Sequence, residues 1–444
     1  MIDIILKFPK STIYFFRFSR QYVNKAVYRH ILCMVLAIIL LRGHRTYANV
    51  SRLFMESRDK SCISRCFKNS VFPGFLMQQD LCKRLLKESL EIPDAKPNAK
   101  RIAYIIIDGT AQKKQGKKME NTIIYKKGYT CDHFFVMGII YFPDTGVRIP
   151  LPRRLYRTKE YCKKHGYKYR TQVKLAEMMI RYANLPDDIE VTVIFDSYFP
   201  SEAVINRIKS KGYHFVCSVK GNRVDIDTDK QLKVICQEHI LSGQLKNRIQ
   251  IKVLSKRSQH TSKGFPKGSV SAYKYETKTF ITYTEKLSIS KMGELQIVFS
   301  RKEKDDTSDL RYMRYMRYIV TDNLSLSTSD ILTIYTYRWQ IELYFKELKS
   351  YLGLGDYQML PFQAIVRHVD CVIMTFMYLE HLRICKLKED PKSKQWRYSR
   401  TLQMSYVVQH EVRMTTIVYL KRALKNGTFS KLEQKLTEKL PLVA

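Results

Sequence analysis

Glycine and proline are scarce in this chain, 17 and 13 of 444 residues, which excludes collagen-like, linker-rich and low-complexity architectures. Acids are few as well. Asp and Glu total 41 against 78 Lys and Arg, a formal net charge of +37. Such a charge repels itself in a protein acting on small neutral substrates, whereas a polyanion neutralises it; nucleic acid is the foremost partner. No hydrophobic run is long. Ile31 to Leu41 is apolar throughout, but eleven residues are too few to cross a bilayer as a helix. Some thirty residues precede it and no small-residue cleavage site follows, so a buried helix is expected rather than a span or an export signal. The ten cysteines form no C-x-x-C and no paired frame; Cys62 and Cys66 lack a matching second pair. They read as core thiols of a reducing cytoplasm rather than zinc ligands or disulfides.

What is present is a globular chain, 45% apolar, long enough for two or three domains. Residues 1–97 read as helices, with Val50, Leu53 and Phe54 at helical spacing after Thr46 and further patterns from Ser61 and Gln78. Their Arg45, Arg52, Arg58, Lys60, Arg65 and Lys68 suit either a small DNA-binding unit or a helical cap with a solvated face. A linker is expected near Pro93 to Asn98. Within 98–220, Ile102 to Ile107 and Val191 to Phe195 are continuous apolar runs, the mark of central strands covered on both faces. A lysine-rich loop should follow the first run, then antiparallel strands, then helices near Lys174 and Ser201 and a strand from Tyr213. Residues 221–318 alternate β-branched and aromatic residues, with few helices. They close on Arg311 to Tyr318, where cations and rings interleave as on a phosphate-facing or solvated edge strand. Helices return over 319–385, and 386–444 form a basic helical tail.

Each of the two apolar strands is followed at once by an acid, Asp108 and Asp196. Carboxylates brought together are costly unless a cation joins them, and on neighbouring strands this pair can bracket Mg²⁺, a hard ion that prefers oxygen ligands. Asp132, Asp144, Asp187 and Asp188 sit beside turn residues and are expected in turns. His133 and His214 are expected to be packed. A third acid comes from the segment Ile334 to Lys349 taken as one helix. On a wheel anchored at Tyr335, Arg338, Glu342, Lys346 and Lys349 fall within roughly 60° of it, beside an apolar stripe of Ile341, Phe345 and Leu348. A surface helix laced by i,i+4 pairs has the same appearance.

The spacing Tyr335-x₂-Arg338-x₃-Glu342-x₆-Lys349, downstream of Asp108-Gly109-Thr110 and Phe195-Asp196-Ser197, resembles the Y-R-E-K signature of DDE transposases from cut-and-paste bacterial insertion sequences. The resemblance runs from about residue 30 to 385. It implies an α/β fold: an RNase H-like mixed-sheet core with a β-rich insertion before the last catalytic helix, plus the helical N-terminal region. It also implies Asp108, Asp196 and Glu342 as catalytic metal ligands for two Mg²⁺ ions, replaceable by Mn²⁺. Tyr335, Arg338 and Lys349 would contact DNA phosphates, and Lys346 shares their face. The implied activity is cleavage of transposon ends and joining of the 3′-hydroxyl to target DNA. The implied partners are double-stranded DNA, as terminal inverted repeats and target, and a second copy of the chain in the DNA complex, in the cytoplasm at the nucleoid and away from membranes. The alternatives are a metal-dependent nuclease without strand transfer and a non-catalytic basic DNA-binding protein.

Overall fold

The computed structural model describes residues 5–41, 43–55, 59–93, 100–115, 118–124, 130–256, 273–303, 315–398 and 401–439. The N-terminal region is helical: α1 (Lys10–Phe16), a short 3₁₀ turn, α2 (Lys25–Leu40), α3 (Tyr47–Leu53), α4 (Lys60–Asn69) and α5 (Gly74–Leu90). Side-chain caps start several of them. Asn24 accepts from the Val27 amide at 3.0 Å, and Thr46 from that of Asn49 at 3.2 Å. The apolar run from Ile31 is the buried body of α2, as its length requires. Arg45 is not on a solvated face; it pairs with Asp356 at 2.8 Å and donates to the Tyr351 carbonyl. The expected linker falls almost wholly on 94–99, outside the described residues.

Strands then follow: β1 (Arg101–Gln115), β2 (Ile123–Ile124), β3 (Thr130–Tyr141), β4 (Arg148–Pro150) and β5 (Arg154–Leu155). After α6 (Lys159–His165) and α7 (Gln172–Tyr182) come β6 (Ile189–Phe195), α8 (Glu202–Lys209) and β7 (His214–Val219). β4 pairs antiparallel with β3, β3 antiparallel with β1, and β1, β6 and β7 run parallel in that order. This mixed sheet is that of an RNase H-like core.

The segment after β7 holds α9 (Leu232–Leu241), β8 (Asn247–Lys256), β9 (Tyr273–Ile289), β10 (Gly293–Lys302) and β11 (Arg317–Thr321). It does not stand apart as a second sheet, because β11 pairs antiparallel with β7 and extends the core sheet through β10 and β9 to β8. Arg317 and Tyr318 therefore lie on an interior strand rather than an edge. Arg311 to Arg314 lie outside the described residues. The helices α10 (Thr328–Thr336), α11 (Trp339–Ser350) and α12 (Phe362–Glu389) complete the core; α13 (Lys394–Tyr398), α14 (Thr401–Lys425) and α15 (Phe429–Lys439) form the tail. Among the described residues α12 is the one helix long and apolar enough to cross a membrane, yet 94% of that stretch is buried against α5, α2, α4 and α14.

One buried ion cluster fastens α7 to α8. Glu177 is 3% exposed and accepts from Arg207 at 2.8 Å and Arg181 at 3.0 Å, with Lys174 also at 2.8 Å. Burial alone would raise its carboxyl, but the three cations outweigh that and hold it at about 2. A folded pKa below the unfolded one means stability that is present above about pH 4.5 and lost as pH falls towards 2. Glu177→Gln should cost about 2–3 kcal/mol in urea melts at pH 7, and the gap to the parent should narrow to about half at pH 3, closing only near pH 2. An equal gap at both pH values would contradict this.

Candidate active site

Register places the two acids side by side. The last parallel pair between β1 and β6 is Ile106 with Ile194, and Asp108 and Asp196 each stand two residues beyond it. Asp108 does not end its strand, contrary to the sequence expectation. β1 continues to Gln115 through Lys113 and Lys114, because β3 pairs with it from Tyr104 to Gln115, Asp108 opposite Met137. What ends near Asp108 is the β6 ladder, and that flank of β1 is left open. Asp196 does leave its strand, and its Oδ1 accepts the Tyr198 amide at 2.9 Å in a tight turn. Gly109 donates its amide to Asp108 Oδ1 at 2.7 Å, and a Cβ there would collide with the Phe134 ring.

The segment carrying the third acid is two helices and not one. Between α10 and α11 the amides of Tyr337, Arg338, Gln340 and Ile341 each bond three residues back, a tightened turn that breaks the wheel. Tyr337 fixes the break by stacking on Tyr104 at 5.0 Å and packing on Tyr141 at 5.5 Å. Nor is α11 a surface helix: Ile341, Leu343, Tyr344, Phe345, Glu347 and Leu348 are all buried.

Arg338 stands immediately before α11 and reaches two of the acids at once. Its Nη1 lies 3.0 Å from Asp108 Oδ2 and 3.2 Å from Glu342 Oε1. Burial, and next the charge of Asp196, push the Asp108 carboxyl up to about 6, against the pull of the Gly109 amide and Arg338. Lys349 donates to the Ala111 carbonyl at 2.8 Å, which ties the end of α11 to β1. Lys346 is half-buried one turn beyond Glu342. Tyr335 is on α10; burial raises its phenol, and a hydrogen bond with Ser218 works the other way.

The acids therefore converge from β1, the end of β6 and α11. Among the described residues no three His, Cys, Asp or Glu side chains are grouped so that they could hold a metal ion together, and Arg338 lies between Asp108 and Glu342. The donor chemistry nonetheless fits a hard divalent ion. All the donors are carboxylate oxygens, and a carboxyl raised by burial and a neighbouring acid marks negative charge that one guanidinium leaves under-compensated.

One other expectation changes and one holds. Asp132 is not in a turn but buried in β3, its Oδ1 without a hydrogen-bond partner among the described residues. His133 is packed, its ring nitrogens 2.8 Å from the Tyr357 hydroxyl and from the Glu120 carbonyl. The role of Tyr337 as the break in the helix carried no periodic signal in the sequence.

The sequence model of a family described as a transposase DDE domain matches residues 100–376, from the start of β1 to the middle of α12. Among curated proteins none matches the chain.

Proposed function

The chain belongs to the transposase DDE domain family, and from that premise we propose that it cleaves transposon ends and joins the released 3′-hydroxyl to target DNA. The observation that carries this reading is the convergence of Asp108, Asp196 and Glu342 at the open flank of β1, inside the family-matched segment. Members of the family generally use divalent metal ions. Asp108, Asp196 and Glu342 would hold two Mg²⁺ ions, or Mn²⁺ in their place. Bound there, the ions would activate a nucleophilic oxygen and stabilise the leaving one in an in-line displacement at phosphorus.

The chain's own groups have separate tasks. Arg338 screens the acids while they stand alone, and its planar fork suits a phosphate once their charge is met otherwise. Lys346, Lys349 and Tyr335 flank the same site and are proposed as further phosphate contacts. Two copies would hold the two ends together, in the cytoplasm where the nucleoid lies.

The test is incubation of the full chain with the inverted repeats that flank its own gene, with Mg²⁺, and mapping of every new end. Nicks at the repeat ends followed by joined products are expected. Nicks without joining would favour a nuclease, and binding without metal-dependent nicks a DNA-binding protein.

A further inference from the structure

Behind α11, away from the acids, lies a buried and charge-balanced quartet. Arg148 of β4 is fully buried, its Nη2 2.8 Å from Glu347 Oε2 and 3.6 Å from Glu380 Oε1. Arg383 closes the group, donating through Nε to Glu380 at 3.0 Å and through Nη2 to the Gly146 carbonyl at 2.8 Å. A fifth member comes from the tail: the Thr401 hydroxyl at the start of α14 donates to Glu347 Oε2 at 2.9 Å. Thr401 lies beyond residue 376, where the family match ends.

Glu347 is five residues after Glu342 on the same helix, about 140° round and about 7.5 Å along it. One acid faces Asp108 while the other is gripped from the opposite side. The grip matters because α11 is not continuous with α10; the tightened turn at Tyr337 and Arg338 leaves its rotation to be set by tertiary contacts. Arg148 grips with one nitrogen only. Its Nε and Nη1 make no hydrogen bond among the described residues, so Thr401 supplies the second direction that fixes the Glu347 carboxylate.

We propose that Glu347, clamped by Arg148 and Thr401, is a positioning residue that sets the rotation of α11 and hence the reach of Glu342, wiring the C-terminal tail to the catalytic centre. This rests on the reading of Glu342 as a catalytic ligand. A shift of an ångström at a reacting centre costs about a hundredfold, so loss of one of two clamps should cost about tenfold.

The experiment compares Thr401→Val, Thr401→Ser, Glu347→Gln and Glu342→Gln in the full chain, by end nicking, end-DNA binding and thermal melting. Thr401→Val should nick about tenfold more slowly in kcat, with KM for end DNA within about twofold and a raised Mn²⁺ concentration for half-maximal rate. Thr401→Ser, which keeps the hydroxyl, should return the rate to within about twofold. Glu347→Gln should slow nicking further; if it melts too low to assay, Thr401→Val decides. A Thr401→Val protein that nicks at the parental rate, or Thr401→Ser that fails to rescue, overturns the proposal. So does a loss shared equally by kcat, end binding and melting. Full activity in Glu342→Gln would sink the underlying catalytic reading, whereas an inactive Glu342→Gln beside a normal Thr401→Val sinks the positioning role alone.

Discussion

Asp196→Asn is expected to leave end binding within about twofold of the parent and to lower nicking by about a thousandfold or more, the several kcal/mol that metal-held charge supplies at a phosphoryl centre. Asp108→Asn and Glu342→Gln should do the same. Folding separates this result from simple damage. The Asp108 carboxyl is raised to about 6, above its unfolded value, so the native state holds that proton more tightly than the unfolded chain. Stability of the metal-free protein therefore falls as pH rises from about 4 to about 6. Asn cannot ionise. Asp108→Asn should accordingly melt higher than the parent at pH 7, by about 1–2 kcal/mol once the lost Arg338 contact is set against the gain. Mn²⁺ should raise the parent's melting temperature and leave that of the variant unmoved. A variant that melts higher and does not nick has lost chemistry, not structure. Full nicking by Asp196→Asn would remove that acid from the site.

The parts of this architecture that were legible in the sequence are those dictated by local burial. Ile102 to Ile107 and Val191 to Phe195 announce central strands because both faces of each are covered. The acids that follow them mark the level at which the parallel ladder ends. The illegible parts depend on distant partners. Gln112, Lys113 and Lys114 look like a loop, and only the pairing of β3 keeps them extended. A wheel drawn through Tyr335 to Lys349 assumes one helix, whereas Tyr104 and Tyr141 receive the Tyr337 ring and break it. The wheel still brought Arg338 and Glu342 together, because an i,i+4 pair survives a break on its N-terminal side. Of Arg148, Glu347, Glu380 and Arg383, only the i,i+3 pair Glu380 and Arg383 has a local pattern. Their balance arises from elements up to 235 residues apart in sequence, joined only when β4 meets α11 and α12.

Affinity for random duplex DNA should fall by about a thousandfold or more between 50 and 200 mM salt, as for proteins that meet six or more phosphates. The net charge of +37 is the premise, but not every cation contributes. Arg148 and Arg383 are neutralised in the buried quartet, Arg153 is paired with buried Asp370 at 2.8 Å, and Arg45 is held by Asp356. These displace no counterions. The slope of log affinity against log salt therefore reports the surface lysines and arginines alone, at about 0.9 per phosphate met. Anisotropy titrations of a labelled random duplex at four salt concentrations give that slope. Run on Asp196→Asn, the same titration should return the parental line, because that acid lies in the carboxylate cluster and not on the basic surface. A flat line for the parent would mean that the excess positive charge is not a nucleic-acid footprint. End recognition would then have to come from base contacts without backbone support, a poor basis for a protein that must hold two DNA ends while it cuts them.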